Sequence, residues 1–287
     1  VPEHDGHPYE IWDVFTDTPL EGNPLAVFPH AEEMPSRLYQ KLARELNLSE
    51  TVFITPDDPR EADASIRIFT PAVELPFAGH PTLGAAYAMS TVAGHPRVRL
   101  RTGAGVLTVT MSRNDHGEIT QGEMRQPIPT VRPYGDADAL LGALDISESL
   151  LAVEIYTNGP SHVVVTVADR ATLSALAPDM AALERLGEHG VAVIALGDGA
   201  TVYSRNFCPA LGVPEDPATG SAAGPVAVHL LRHGRVGSGE SIEITQGVEM
   251  GRPSRLLASA SGNRDAIEGV TVAGRAVRVA SGHYRVG

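Results

Sequence analysis

Apolar and polar positions alternate through "YEIWDVF" and again through "PLAVF", on either side of a Gly-Asn-Pro turn at Gly22–Pro24, which predicts two strands. The period then changes. In "MPSRLYQKLARELNL", Leu38, Leu42 and Leu46 fall on one face, predicting a helix with Pro35 near its first turn. "TVFITP" and "ASIRIFTP" predict strands, and "HPTLGAAYAMSTVAG" a helix opened by Pro81 and closed by Gly94. "RVRLRTGAGVLTVTMSR" and "ITQGEMRQPIP" read as a hairpin system. From about Thr130 the series restarts: two strands around an Asn-Gly-Pro turn in "LLAVEIYTNGPSHVVVTVAD", a helix over "ATLSALAPDMAALERLG", and strands at "HGVAVIALGD" and "TVYSRNFCP". A helix over "DPATGSAAGPVAVHLLRHG", opened by Pro217 and closed by Gly234, precedes the last strands.

The restart is also written in the residues. "RIFTPAVELP" from Arg67 faces "RNFCPALGVP" from Arg205 at an offset of 138, with Arg, Phe, Pro, Ala and the last Pro coinciding. Beyond that point a small length difference brings Pro81 opposite Pro217 at an offset of 136, and so His80 opposite Asp216. This order of elements predicts a duplicated α+β fold. Its expected lobes are residues 1–129 and 130–287, with the final strand near 277–287 returning to the first lobe. Each lobe is expected to contribute one helix N-terminus to a shared active site between them.

Composition narrows the function classes. The 287 residues carry a formal net charge of −13, with 43% hydrophobic and 20% charged residues, as expected for a folded globular chain. So acidic a surface repels phosphate backbones and anionic lipid, which argues against nucleic-acid and membrane partners. Cys208 is the single cysteine, so no intrachain disulfide forms and a cytoplasmic setting fits. The N-terminal stretch "VPEHDGHPYEIWDVF" lacks the basic-then-apolar pattern of a signal peptide. Lys41 is the single lysine and lies in an ordinary amphipathic helix, which disfavours Schiff-base chemistry.

A helix N-terminus offers unpaired N–H groups and the positive end of the dipole, and two of them suit a substrate carboxylate. His80 and Asp216 stand at the two helix entrances, with the hydroxyls Thr82, Thr219 and Ser221 beside them. Asp216 alone also reads as an N-cap, His80 as a satisfied polar residue and Ser221 as a helix-interior serine. Glu50, in "NLSETVF", sits where a helix gives way to an apolar strand. Pointed inward, its carboxyl would lose water and its pKa would rise toward the range of a general acid/base; pointed outward it is a solvated loop residue. "GDGAT" at Gly197 lacks the third glycine and acidic follow-up of a dinucleotide fingerprint, and neither a P-loop nor a nucleophile elbow occurs. His229 and His233 are four apart on a helix, but Leu230 occupies the place of a metalloprotease glutamate, so they read as complements to the helix dipole.

At these residues the chain resembles the PhzF phenazine-biosynthesis isomerase family. The resemblance rests on "DVFTDTPLEGNPLAVF", "NLSETVF", "RIFTPAVELPFAGHPTLG", "EDPATGSAAGPVAVHL" and "QGVEMGRPSR". "QPIPT", "VEIYTNGPSHVVV" and "SIEITQGVEMGRPSRL" look like its phenazine-pathway members proper. It implies a diaminopimelate-epimerase-like fold, with two pseudo-symmetric domains that each curve a sheet around a central helix. It also implies a homodimer, no cofactor, and isomerisation of trans-2,3-dihydro-3-hydroxyanthranilate to an aminoketone. Carried over by position, Glu50 matches the acid/base carboxylate that takes a proton from C3 and returns one to C1. His80, Asp216 and Ser221 match the residues that position substrate, and Gly79 and Gly220 the backbone that approaches it. Epimerases and racemases of this fold that use two cysteines are excluded as mechanistic parallels, since Cys208 is the only thiol. Two other readings stay open: the same chemistry on a different small cyclic carboxylate, and a non-catalytic small-carboxylate binder.

Overall fold

The computed structural model describes residues 6–286, apart from the side chains of Val92 and Ala93; the first five residues of the N-terminal stretch, and Gly287 at the end of the expected last strand, lie outside it. The chain divides into two compact units. One runs to Met124 and resumes at Ala273; the other is Arg125–Val272. Gln126 already belongs to the second unit, where its N–H donates to the Val270 carbonyl at 2.9 Å. The returning segment is held in the first unit, where the Tyr87 hydroxyl donates to the Gly274 carbonyl at 3.1 Å.

The first unit contains β1 (His7–Val14), β2 (Asn23–Phe28), α1 (Tyr39–Leu46), β3 (Glu50–Thr55), β4 (Ala64–Phe69), β5 (Glu74–Leu75), α2 (Gly79–Ala93), β6 (Arg97–Thr102), β7 (Gly105–Arg113) and most of β8 (Ile119–Arg125). The second contains β9 (Thr130–Pro133), α3 (Ala137–Ala143), β10 (Glu154–Thr157), β11 (Ser161–Val167), α4 (Arg170–Ala175), α5 (Met180–Arg185), β12 (Gly190–Leu196), β13 (Thr201–Cys208), β14 (Val213–Asp216) and α6 (Gly220–Arg232). It continues through β15 (Ser241–Gln246), β16 (Ser254–Gly262) and most of β17 (Ile267–Gly274), and β18 (Ala276–Tyr284) then pairs antiparallel with β1 in the first unit.

Strand pairing repeats step for step. In the first unit β1–β2 is antiparallel, β2–β3 parallel, β3–β4 and β4–β5 antiparallel, β4–β6 parallel and β6–β7 antiparallel. In the second, β10–β11 is antiparallel, β11–β12 parallel, β12–β13 and β13–β14 antiparallel, β13–β15 parallel and β15–β16 antiparallel. The duplication expected from the sequence is therefore a duplication of topology.

Each unit wraps its sheet around one apolar helix. A helix that is apolar on all sides has no face for water and must be covered all round. Accordingly α2 touches β1, β2, β3, β4, β6, β7 and β18, while α6 touches β11, β12 and β16. The outer face of the first sheet is closed by α1, whose Tyr39 stacks on Phe53 at 4.1 Å, with Phe28 and Phe69 beside them. The expected single helix over Ala171–Gly187 is instead two, α4 and α5. Pro178 cannot continue a helix, and Asp169 and Asp179 cap the two pieces by accepting from the Thr172 and Ala182 amides.

Close wrapping explains the helix glycines. A Cβ on Gly84 would lie 2.4 Å from Leu25 Cδ2; one on Gly224 would lie 2.3 Å from Gln126 Oε1 and 2.7 Å from Val270 Cγ1. Gly224→Ala is therefore expected to destabilise by about 1–3 kcal/mol. Gly142→Ala, in open space within α3, should be neutral or stabilising by up to about 1 kcal/mol. Urea unfolding of the two variants against the parent checks both signs.

Candidate active site

The repeated Arg and Phe build the same clamp in both units. Arg67 makes a bidentate contact to Glu74 on β5 at 2.7 Å and lies 5.1 Å over the Phe69 ring. Arg205 makes a bidentate contact to Glu215 on β14 at 2.8 Å and lies 5.0 Å over the Phe207 ring. Each clamp fixes the short strand that leads into the central helix.

The clamp also corrects the expected pairing of the halves. Ile68 faces Leu75 across β4–β5, and Asn206 faces Asp216 across β13–β14. Glu74 thus corresponds to Glu215, Pro76 to Pro217 and Gly79 to Gly220, an offset of 141 carried by the shared pattern E-x-P-x-x-G. The extra residues form the 3-10 turn Pro209–Leu211, which ends on Gly212 at φ +81. By element position the counterpart of His80 is Ser221, and that of Asp216 is Leu75. Nor does Pro217 open a helix: α6 begins at Gly220, and Asp216 ends β14 without capping it.

In the first unit, Glu50 is the first residue of β3 and His80 the second residue of α2. The Glu50 side chain is only 14% exposed and that of His80 only 3%. His80 Nε2 lies 3.4 Å from Glu50 Oε2, while Asn23 Nδ2 lies 3.3 Å from His80 Nδ1. Burial holds the His80 imidazole far below its ordinary value, at about 3, so near neutrality it is uncharged. With the Asn23 amide nitrogen donating to Nδ1, the ring proton sits on Nε2, 3.4 Å from Glu50 Oε2 but without hydrogen-bond geometry to it. The Glu50–His80 contact is therefore one between a neutral imidazole and a largely desolvated carboxyl group. Gly79, beside His80, is the first residue of the helix.

In the second unit, Asp216 is buried and its Oδ2 accepts from the Thr219 hydroxyl at 2.6 Å. Gln246, at the end of β15, ties this turn together. Its Nε2 donates to the Asp216 carbonyl at 2.7 Å and to Thr219 Oγ1 at 3.0 Å, and its Oε1 accepts from the Thr219 N–H at 3.3 Å. The amides of Ala222 and Ala223 bond to the Thr219 carbonyl. Those of Gly220 and Ser221 are the donors that a helix start cannot pair internally.

Three side chains support Gly220 and Ser221 from below. Pro225 lies within α6, four residues after Ser221, and so removes the N–H that would bond the Ser221 carbonyl. Asn158 Nδ2 replaces it at 3.1 Å and also donates to Gln126 Oε1 at 3.2 Å, while Gln126 Nε2 donates to the Gly220 carbonyl at 2.7 Å. His162, 2% exposed, brings Nε2 to 3.0 Å from Ser221 Oγ. Burial, aided by the nearby His189, pushes its pKa down to about 3. The hydroxyl of Ser221 is thus set by a neutral ring.

The structure therefore brings Glu50, Gly79 and His80 together in one unit and Asp216, Gly220 and Ser221 together in the other. Asn23, Gln126, Asn158, His162 and Gln246 were not singled out by sequence reasoning. All lie within stretches that carried the family resemblance. Pro225 inside a predicted helix was the local signal that a side-chain donor had to exist nearby.

Comparison with known proteins places the chain and its fold. A Pseudomonas chlororaphis protein called trans-2,3-dihydro-3-hydroxyanthranilate isomerase is 47% identical over 277 residues, covering 96% of this chain and 98% of its own. A Bacillus anthracis phenazine biosynthesis protein of the PhzF family superposes with a TM-score of 0.85 at 22% identity, over 98% of this chain and 99% of its own. A probable proline racemase from Agrobacterium radiobacter K84 superposes with a TM-score of 0.67 at 12% identity, over 97% and 92% of the two chains. The fold is thus the α+β architecture shared by PhzF proteins and the epimerase and racemase enzymes, as the sequence led us to expect. The family pattern for phenazine biosynthesis-like proteins matches residues 12–282, and the chain belongs to the PhzC-PhzF family.

Proposed function

We propose that this protein is a cofactor-independent isomerase that converts trans-2,3-dihydro-3-hydroxyanthranilate to an aminoketone in phenazine biosynthesis. The observation that carries the reading is the Glu50 carboxyl, largely withdrawn from water and 3.4 Å from Nε2 of an uncharged His80. The identity of 47% to a protein named for this activity supplies the substrate.

In this mechanism Glu50 takes the proton from C3, and the C3–H electrons pass into the ring diene conjugated with the carboxylate. Glu50 then delivers a proton to C1, and the enol left at C3 becomes the ketone as its hydroxyl proton is lost and one is gained at C4. Atoms and electrons balance within the substrate, so no oxidant or reductant takes part. A histidine whose conjugate acid is this unstable does not compete for the proton that Glu50 carries. The Gly220 and Ser221 amides and the Ser221 hydroxyl receive the substrate carboxylate at the helix start. His162 Nε2 lies 3.0 Å from Ser221 Oγ, and in the tautomer that carries its proton on Nε2 it donates there and leaves the hydroxyl proton for the ligand. Asp216 takes the substrate amino group.

The direct test is incubation of purified protein with trans-2,3-dihydro-3-hydroxyanthranilate in heavy water. Substrate loss with deuterium entering the product carbon is expected. Saturable binding of substrate with neither turnover nor exchange would replace the proposal by a carboxylate-binding role. Absence of both would point to a different small cyclic carboxylate.

A further inference from the structure

His229 and His233, read from sequence as complements to a helix dipole, converge on a third side chain. Glu154, the first residue of β10, places Oε2 3.4 Å from His229 Nδ1 and 3.0 Å from His233 Nε2. The donor atoms of all three residues lie within 4.8 Å of one another. The two rings are 4.5 Å apart and tilted by 56°, so their nitrogens converge and the rings do not stack flat.

We propose that Glu154, His229 and His233 form a binding site for one borderline divalent metal ion, of which Zn2+ is the type, with water in the fourth position. Metal–ligand bonds of about 2.0–2.2 Å around a tetrahedral ion put neighbouring ligand atoms roughly 3.4 Å apart. The two distances from Glu154 lie on that edge and about 0.4 Å below it, within reach of sub-ångström adjustment, and the third pair of donor atoms lies within 4.8 Å. Histidines four residues apart present both rings on one helix face, and a strand carboxylate closes the triangle. His229 is fully buried, and to ligate through Nδ1 its ring would carry its one proton on Nε2, which has no hydrogen-bond partner in this fold. The Tyr156 hydroxyl donates to Glu154 Oε2 at 2.6 Å, the kind of outer contact that orients a ligating carboxylate. It also lies 2.9 Å from His229 Nδ1, a contact the metal would take over.

Two imidazoles and one carboxylate favour Zn2+, Co2+ or Ni2+ over Mg2+ and Ca2+, which prefer all-oxygen shells. Arg232 opposes the charge, with Nη2 3.5 Å from Glu154 Oε1, and so weakens the site. The ion would join the C-terminal end of α6 to β10 within the second unit, at the opposite end of the helix from Gly220 and Ser221, and so act as a structural clamp.

The test uses untagged protein stripped with EDTA and titrated with Zn2+, Co2+ and Mg2+. One equivalent of Zn2+ per chain, a raised Tm, an intense tetrahedral Co2+ absorption and no response to Mg2+ are expected. His233→Ala should abolish the Co2+ spectrum without changing isomerase activity, and His233→Cys should restore metal binding. Arg232→Gln should tighten Zn2+ by roughly tenfold by removing the competing cation. No saturable Zn2+ binding, or binding by His233→Ala equal to the parent, would overturn the site. Neither result bears on the isomerase assay.

Discussion

Glu50→Gln is expected to bind substrate within about threefold of the parent and to lose turnover by roughly 10^3-fold, the midrange of what a positioned acid/base contributes. The exchange keeps the shape of the side chain and its place against His80 Nε2, 3.4 Å away, while removing the group that can carry a proton. Its signature is a split: kcat falls, Kd does not, and deuterium from heavy water no longer enters the product. A structural role for Glu50 would move Kd and Tm together with kcat. A kcat equal to the parent would remove Glu50 from the proposed mechanism altogether. His80→Gln should be less severe, because in this scheme the imidazole orients the carboxyl and gives up no proton.

Much of this was legible in the sequence for reasons that the structure makes physical. The R-x-F repeat could be seen because each arginine has two obligations, a carboxylate on the next strand and an aromatic ring on its own, and both obligations recur at Arg67 and Arg205. Where the reading slipped, a loop was responsible. The 3-10 turn Pro209–Leu211 lengthens the second copy before Glu215, not after Pro214. Two prolines that merely stand near helix starts, Pro81 and Pro217, then aligned by accident. The pattern E-x-P-x-x-G gives the register that the strands confirm. The supporting amides were less visible. Gln126, Asn158 and Gln246 act on backbone carbonyls and turns far away in sequence, at separations set by the fold. Pro225 announces an orphaned carbonyl at Ser221, but sequence alone does not say which side chain will reach it.

Acid should destabilise this protein early, at pH values where most globular chains are near their optimum. His80 and His162 are held at about 3 by burial, against an ordinary value near 6.5. Below pH 6.5 the unfolded chain takes up protons that the folded chain refuses, so stability is full above that pH and falls as pH drops through the window from 6.5 to about 3. Each histidine then contributes a loss of about 2 kcal/mol between pH 7 and pH 5, and the pair about 4 kcal/mol. His189 and His229, also lowered by burial, push in the same direction. Paired carboxylates such as Glu154 add their loss at lower pH, since their unfolded values lie near 4.5. Urea unfolding at pH 7, 6 and 5 measures the slope. His162→Asn, which leaves an amide near Ser221 but removes the titrating ring, should lower stability at pH 7 and flatten the dependence by close to one proton. Equal unfolding free energies at pH 7 and pH 5 would mean that these rings are protonated in the fold. The neutral His80 on which Glu50's role as sole proton carrier depends would then be lost as well.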